Sequence, residues 1–186
     1  MDIQNTGELK SLLKREQLNY VPHGTKGMFN IFTKENTAQT FRVIEYLRKE
    51  EYYYNKYTKS RSLISLVLFS LFRRKKNVVA SRLGIYLPRN VVDEGIMIFH
   101  YGDIVINDHC RIGKNLKLHG NNCIGNDGVD LEAAPTIGDN VDIGYGAVII
   151  GGISIASNTI IGANAVVINS IDEAGVYVGV PAKKVR

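Results

Sequence analysis

The chain has 186 residues, 45% of them hydrophobic and 22% charged, which is typical of a folded protein rather than a disordered one. The net charge is +5, but residues 1–89 hold 17 basic and 7 acidic side chains, whereas residues 90–186 hold 6 and 11. The basic front half indicates an anionic partner or docking between the halves. The sequence shows no motif that reads the groove of a nucleic acid, which argues against a nucleic-acid function. The polar first residues do not resemble a signal peptide, which favours a cytoplasmic location.

The front of the chain, residues 1–85, is predicted to be helical. Apolar residues share one side of a short helix over residues 8–16, and helical spacing resumes at Asn36, which looks like a helix start. Residues 63–72 are apolar at 8 of 10 positions and are followed by a basic run, residues 73–76. Two interpretations remain open for residues 61–76. One is a helix that contacts a membrane surface peripherally, and the other is a buried helix followed by a solvated basic turn.

The back of the chain repeats every six residues. A period of six fits neither a helix, at 3.6, nor one long strand, at 2, but it fits a short strand and a tight turn repeated many times. Aliphatic side chains at the first hexad position would fill a narrow core, which predicts a β-helix. The first positions of the hexads are all aliphatic: Ile106, Ile112, Leu118, Ile124, Ile137, Ile143, Ile149, Ile155, Ile161 and Val167.

One gap interrupts this repeat. The step from Ile124 to Ile137 takes 13 residues where two hexads would take 12, so residues 126–135 are predicted to form a coil distorted at one corner. Cys110 falls on an inward position of the repeat, which predicts a packed, reduced thiol. Together with Cys123 it is one of only 2 cysteines, too few for a disulfide framework.

These hexads resemble those of the hexapeptide-repeat acyltransferases. Residues 100–105 (HYGDIV) look like the HxxGIVV segment of serine acetyltransferases, and residues 179–185 (GVPAKKV) look like the closing GVPAK segment of the family. The resemblance covers residues 86–186 and implies a mainly β fold, a left-handed parallel β-helix of about five coils. It also implies a homotrimer or a multiple of one, with the active site between neighbouring copies.

The resemblance further implies transfer of an acetyl group from acetyl-CoA to an acceptor hydroxyl, with no metal required. A hydroxyl needs a base that accepts its proton, and histidine suits this task. His100 matches the catalytic histidine of the family. His119 follows 19 residues later, close to one coil of 18, and is predicted to lie near His100 and to bind the acceptor. His109 is predicted to face solvent, and His23 lies outside the repeat in a predicted surface loop.

Three positions depart from the serine acetyltransferase pattern. Ile85 stands where the aspartate that pairs with the catalytic histidine would fall, Phe99 where an acidic residue precedes that histidine, and Ala134 where a second active-site histidine precedes a proline. These departures favour a sugar of a surface polysaccharide, or its precursor, over serine as the acceptor. Asp93 is then a candidate for orienting His100, and Asp127 for binding sugar hydroxyls.

The coenzyme is expected in the groove between neighbouring copies. The resemblance places Tyr145, Gly146 and Ala163 against the pantetheine arm, because the hexads that begin at Ile143 and Ile161 are one coil apart. It also assigns a candidate phosphate-binding role to the basic end of the chain. The residues concerned are Lys183 and Lys184.

Other functions remain open. Serine O-acetyltransferase is the alternative within the same chemistry. The same β-helix also carries γ-class carbonic anhydrase, which needs three histidines that converge on a metal, and His100, His109 and His119 are the available set. A non-catalytic β-helix scaffold is the third class, and acetyl-CoA binding would distinguish it from an enzyme.

Overall fold

The computed structural model describes residues 3–21, 24–33 and 35–186, so the prediction about His23 lies outside the described residues. The chain divides into two compact units, Met1–Leu83 and Gly84–Arg186. The predicted boundary lay between residues 85 and 86; in the structure Ile85 already pairs with Ile104 inside the second unit. The first unit holds four helices: α1 (Thr6–Tyr20), α2 (Gly24–Phe32), α3 (Asn36–Ser60) and α4 (Leu63–Arg82).

Helix α1 is longer than the predicted helix over residues 8–16. Its start is capped by the side chain of Asn5, whose Oδ1 accepts hydrogen bonds from the backbone N–H groups of Gly7 and Glu8. Leu9 and Leu12 are buried on one side of the helix, as expected. The start predicted at Asn36 is also observed, but the residue before it, Glu35, makes no capping hydrogen bond with its side chain.

A buried ionic cluster joins α1 to α3. The guanidinium of Arg48 is fully buried, and its Nη2 lies 3.0 Å from Oε1 of Glu16 while its Nη1 lies 2.9 Å from Oε2 of Glu51. Burial works against the charge of Arg48, but the Glu51 and Glu16 carboxylates more than offset it, so the pKa of the guanidinium is raised. The cluster therefore depends on all three of its members.

Helix α4 corrects the buried-helix interpretation of residues 61–76 at its basic run and leaves the membrane-surface interpretation untested. The basic run is not a turn after the helix but part of it, and Lys76 is buried with its Nζ 2.8 Å from Oε2 of Glu50. Phe69 is buried, whereas Leu63 and Ile64 are exposed at the start of the helix. No helix within the described part of the chain is long and apolar enough to cross a bilayer. Contact of residues 61–76 with a membrane surface stays a prediction.

The second unit is a parallel β-helix built from short strands. Three sheets run along it, and each coil of the chain contributes one strand or bridge to each sheet. The hexad positions are buried as predicted, with Ile106, Ile124 and Ile149 stacked in register on one face. The strands are β1 (Ile85–Tyr86), β2 (Met97–Ile98), β3 (Ile104–Ile106), β4 (Arg111–Ile112), β5 (Lys117–Leu118), β6 (Cys123–Gly125), β7 (Thr136–Ile137), β8 (Asp142–Ile143), β9 (Val148–Ile150), β10 (Ser154–Ile155), β11 (Ile160–Ile161), β12 (Val166–Val167), β13 (Val176–Val178) and β14 (Lys183–Lys184).

The sheets define three faces of a prism. Face A holds β1, β3, β6, β9 and β12; face B holds β4, β7 and β10; face C holds β2, β5, β8, β11, β13 and β14. The chain passes from A to B to C in every coil, and the bridges of Val92 to Ile112 and of Ile171 to Ile155 complete face B at both ends. The described residues therefore form five coils, the number that was predicted.

The gap in the repeat is an insertion and not a slightly distorted coil. Ile124 pairs on face A, whereas Ile137 pairs with Ile112 on face B, so a step of 13 residues replaces a single hexad step of 6. Residues 126–135 therefore form a loop that protrudes between faces A and B and adds seven residues. The predicted distortion of one residue was wrong because a six-residue count alone does not say which face a position occupies.

Candidate active site

Five of the nine residues predicted to serve the acetyl transfer lie along one edge of the prism. This edge, between faces C and A, consists of the corners at residues 99–103, 119–122, 144–147 and 162–165. Hydrogen bonds link successive corners: the N–H of Gly146 donates to the carbonyl of Gly120 at 3.0 Å, and that of Asn164 donates to the carbonyl of Tyr145 at 2.8 Å. His100, Tyr145, Gly146 and Ala163 thus lie in one column, which we call the C–A edge.

His100 lies at an enlarged corner of this edge. The step from Ile98 to Ile106 takes eight residues instead of six, and the backbone turns through Gly102 (φ 116°) and Asp103 (φ 34°) to close it. The two extra residues move His100 out of the packed strand positions, and its side chain is exposed. A histidine presented in this way is accessible to a substrate on the C–A edge.

His119 lies beside Phe99 rather than directly beside His100. The register pairs Ile98 with Leu118, an offset of 20 residues, because the enlarged corner lengthens this coil beyond the 18 residues used for the prediction. The His119 and Phe99 rings stack with their centroids 4.6 Å apart and 20° between their planes. His119 therefore reaches the predicted edge, but one residue out of step with the base.

An aspartate that sequence reasoning missed contacts His119. Nε2 of His119 lies 2.8 Å from Oδ1 of Asp142, which comes from the neighbouring strand on face C. The two residues are 23 apart in the chain, and the seven-residue insertion between them hides this relation from an 18-residue count. The sequence does contain one indication of this contact. Asp142 directly precedes a hexad position, as Lys117 does one coil earlier, which predicts that both side chains point outward from face C.

Gly120 allows a close approach between its own corner and the neighbouring corners of His100 and Tyr145. Its φ is 115°, and a Cβ at this position would lie 3.1 Å both from the carbonyl oxygen of His100 and from the ring of Tyr145. Only glycine fits this approach without strain. The Tyr145 side chain, which is half exposed, lies one coil from Gly120 and two coils from His100.

Two aspartates, predicted to orient His100 and to bind the acceptor, lie at other edges of the same chain. Asp93 follows Val92 on face B, and Asp127 belongs to the inserted loop between faces A and B. The backbone N–H groups of Val129 and Asp130 donate to Oδ1 of Asp127 at 2.9 and 3.1 Å and lower the pKa of its carboxyl. Within one chain, neither aspartate is brought to the edge that holds His100.

The two terminal lysines differ in their surroundings. Strand β14 runs antiparallel to β13 and pairs Lys183 with Val178 and Lys184 with Tyr177. Nζ of Lys184 lies 2.9 Å from Oε2 of Glu173, and this hydrogen bond raises the pKa of the lysine. Lys183 is exposed and pairs with Val178 at the end of face C nearest the C–A edge. Binding of coenzyme phosphates by either lysine stays a prediction.

The positions that depart from the serine acetyltransferase pattern also have clear surroundings. Ile85 is buried in the β-helix, so this position carries no group that orients His100. Phe99 forms the platform for His119. Ala134 lies in the inserted loop, directly before the buried Pro135. Of these three positions, Phe99 is the one whose side chain stacks on a candidate site residue, His119.

The three histidines of the carbonic anhydrase interpretation do not converge within one chain. His109 is exposed between faces A and B, with its Nε2 3.7 Å from Oδ1 of Asp108, whereas His100 and His119 belong to the C–A edge. Over the described ranges, no group of three or more His, Cys, Asp or Glu side chains is arranged to hold a metal ion.

The fold and the edge together define a hexapeptide-repeat protein. Solved structures with this fold include the soybean serine acetyltransferase apoenzyme, which has a TM-score of 0.70 and 24% sequence identity and covers 95% of this chain and 69% of that one. A serine acetyltransferase in complex with CoA has a TM-score of 0.70 and 20% identity and covers 98% and 72%. The predicted left-handed parallel β-helix behind a helical N-terminal region is thereby confirmed.

Sequence comparison points to the same group. Serine acetyltransferases from Staphylococcus xylosus and Staphylococcus aureus (strain Mu50) are each 34% identical in an alignment of 131 residues that covers 65% of this chain. The chain spans 61% and 62% of the length of these two relatives. No protein-family model matches the sequence. These matches in sequence and structure confirm the predicted resemblance to serine acetyltransferase-like hexapeptide-repeat acyltransferases.

Proposed function

We propose that this protein is an acetyl-CoA-dependent O-acetyltransferase, with L-serine as its leading acceptor. The observation that carries the proposal is the C–A edge, where an exposed histidine, a tyrosine and small residues line one column of a serine acetyltransferase-like fold. The sugar acceptor predicted from the sequence gains no support from the comparisons, whose relatives are serine acetyltransferases. The alternative, serine O-acetyltransferase, is the one they support.

His100 is proposed as the general base. It accepts the proton of the acceptor hydroxyl as the oxygen attacks the carbonyl carbon of the thioester, and the C–S bond then breaks so that the thiolate leaves and takes up a proton. The thioester is already activated, so this sequence requires no Lewis acid. The exposed position of His100 at the enlarged corner supports this role.

The donor is proposed to lie along the column of Tyr145, Gly146 and Ala163. These residues follow one another on the edge, and the small side chains of Gly146 and Ala163 leave the backbone accessible to the amide groups of a pantetheine arm. Lys183 supplies a positive charge for the coenzyme phosphates, whereas Lys184 has to leave Glu173 before it contributes.

We also propose that the active form is a homotrimer or a multiple of one. His100 and Asp127 lie at different edges of one prism, so Asp127 reaches the acceptor of His100 only when it comes from a second copy. Light scattering that finds a fully active monomer contradicts this assembly. A cytoplasmic location stays a prediction.

The test of the reaction measures coenzyme A release with L-serine and with a panel of free sugars. His100→Ala is expected to lower turnover by about 10²–10⁴-fold, because a positioned base contributes that much, while acetyl-CoA binding measured by calorimetry stays near normal. His109→Ala is the matched control, since His109 is exposed on another edge. Full activity in His100→Ala overturns the assignment of the base.

The outcome with the acceptors and the donor separates the candidate functions. Release with sugars and none with serine would restore the sugar interpretation. A protein that binds no acetyl-CoA would be a scaffold. Loss of activity in a chelator, restored by zinc or iron, would support the carbonic anhydrase interpretation.

A further inference from the structure

An imidazole–carboxylate pair lies on the C–A edge, against the residue that precedes the proposed base. Nε2 of His119 is 2.8 Å from Oδ1 of Asp142, and the two side chains are 38% and 30% exposed, so both are partly shielded and yet reachable by a substrate. His100 is linked to this pair through the chain, because it follows Phe99, the ring that stacks on His119. Nothing in the proposed reaction so far uses Asp142.

The chemistry of this contact fixes the tautomer of His119. A carboxylate accepts hydrogen bonds and donates none, so the proton of the contact belongs to Nε2 of the imidazole. A neutral ring with its proton on Nε2 has a free lone pair on Nδ1. While the ring is neutral, the contact with Asp142 therefore makes Nδ1 of His119 a hydrogen-bond acceptor.

Two further neighbours hold this arrangement. The stacked ring of Phe99 restricts rotation of the imidazole, since turning it would break a contact at 4.6 Å between centroids. Nζ of Lys117 lies 3.9 Å from Oδ2 of Asp142, the carboxylate oxygen that His119 does not use. The imidazole is thus constrained from its flat side and from its Nε2 atom, and only Nδ1 is left to act on a ligand.

We propose that Asp142 is a positioning residue that holds His119 as an Nε2-protonated imidazole, whose Nδ1 accepts a hydrogen bond from the ammonium group of the acceptor. His119 then selects acceptors that carry a donor group near the reacting hydroxyl, as L-serine does, and His100 keeps its role as base. This inference rests on the proposed function, because it assigns a role in binding the acceptor of that reaction.

The first test reads the tautomer directly. In the intact protein, ¹⁵N chemical shifts of the His119 ring, recorded through two-bond correlations, are expected to show a protonated Nε2 and an unprotonated Nδ1. In Asp142→Asn, whose amide can both donate and accept, the ring is expected to become a mixture of tautomers. A wild-type ring protonated on Nδ1, or an unchanged tautomer in Asp142→Asn, overturns the positioning role.

The second test separates binding from turnover. His119→Ala and Asp142→Asn are each expected to raise KM for serine by about 10-fold, the worth of one hydrogen bond, with kcat and KM for acetyl-CoA within about twofold of wild type. His119→Asn is expected to retain more affinity for serine than His119→Ala, since its amide oxygen is near the place of Nδ1. The matched controls are His109→Ala and Asp108→Asn, which alter an exposed pair on another edge and are expected to leave all constants unchanged.

The outcomes distinguish this inference from the function on which it rests. If wild-type protein releases no coenzyme A with any acceptor, the transferase proposal fails and the acceptor role of His119 fails with it. If the wild type is active and neither His119→Ala nor Asp142→Asn raises KM for serine, only the inference fails. If Asp142→Asn does not fold, the comparison of His119→Ala with His119→Asn still decides whether Nδ1 binds the acceptor.

Discussion

Replacement of Arg48 by methionine tests the buried ionic cluster of the helical unit. Methionine fills a similar volume, so the main effect is to leave the carboxylates of Glu16 and Glu51 buried without their cation. Breaking a buried pair on one side costs about 3–5 kcal/mol, and a domain is stabilised by only about 5–15 kcal/mol. Arg48→Met is therefore expected to remove a large share of the stability of the helical unit.

Thermal and urea unfolding followed by the helical circular dichroism signal measure this effect, because the described residues of the second unit contain strands and turns but no helix. For a unit of this size a loss of 3 kcal/mol corresponds to a fall of more than about 10 °C in the midpoint. Arg42→Met is the matched control: Arg42 is exposed on the same helix, and its replacement is expected to stay within about 0.5 kcal/mol.

A triple variant decides whether charge burial is the cause. Replacing Arg48, Glu16 and Glu51 together by apolar residues of similar size removes the buried charges along with their partners, and such replacements are often neutral or stabilising. The triple variant is therefore expected to be more stable than Arg48→Met alone. A single variant as stable as wild type, or a triple variant as unstable as the single one, refutes the reasoning.

Three further predictions concern the β-helix. Ile143 is fully buried, so Ile143→Asp places an unpaired charge in the narrow core and is expected to abolish cooperative unfolding of this unit in calorimetry; a normal melt would contradict its inward position. Burial raises the pKa of the Cys110 thiol to about 11, whereas Cys123 is exposed, so a thiol reagent is expected to label one cysteine in the native protein and two after denaturation; fast labelling of both without denaturation would refute this. The hydrogen bond from Lys184 lowers the pKa of the Glu173 carboxyl in the folded protein. The pair therefore stabilises β14 fully at pH values above the unfolded pKa of this carboxyl, and the stabilisation is lost as the pH falls through the lowered folded pKa. Amide hydrogen exchange in β14 is expected to be slower in the wild type than in Glu173→Gln at neutral pH and equally fast in the two proteins in acid. A difference between the two proteins that does not change with pH would contradict a stabilising role of the pair.

Much of the β-helix could be predicted from the sequence because its core depends on one repeated position. Ile106, Ile124 and Ile149 are aliphatic since each fills the same place in the core, and a simple count recovers them. The helical unit was harder to delimit, because the end of a helix depends on packing and caps. The basic residues at 73–76 looked like a turn, yet Lys76 stays helical and buried because Glu50 neutralises it.

The candidate site was predicted residue by residue but not as a set of contacts. His100 could be found because its flanking residues resemble a known segment. The contact between His119 and Asp142 could not, because it depends on the coil register, which the enlarged corner at His100 and the insertion after Ile124 both change. Asp93 and Asp127 were assigned by residue type, and residue type does not say which edge of the prism a side chain occupies.

The insertion at residues 126–135 also shows which changes in chain length this architecture tolerates. Because the extra residues protrude at a corner, Ile137 and every later strand keep their faces and their partners. Six residues added within the regular repeat would instead move each later strand to the next face, and the residues of the C–A edge below that point would leave the column of His100. Divergence among proteins built this way is therefore expected to alter loops at corners or whole coils of 18, and to spare single hexads.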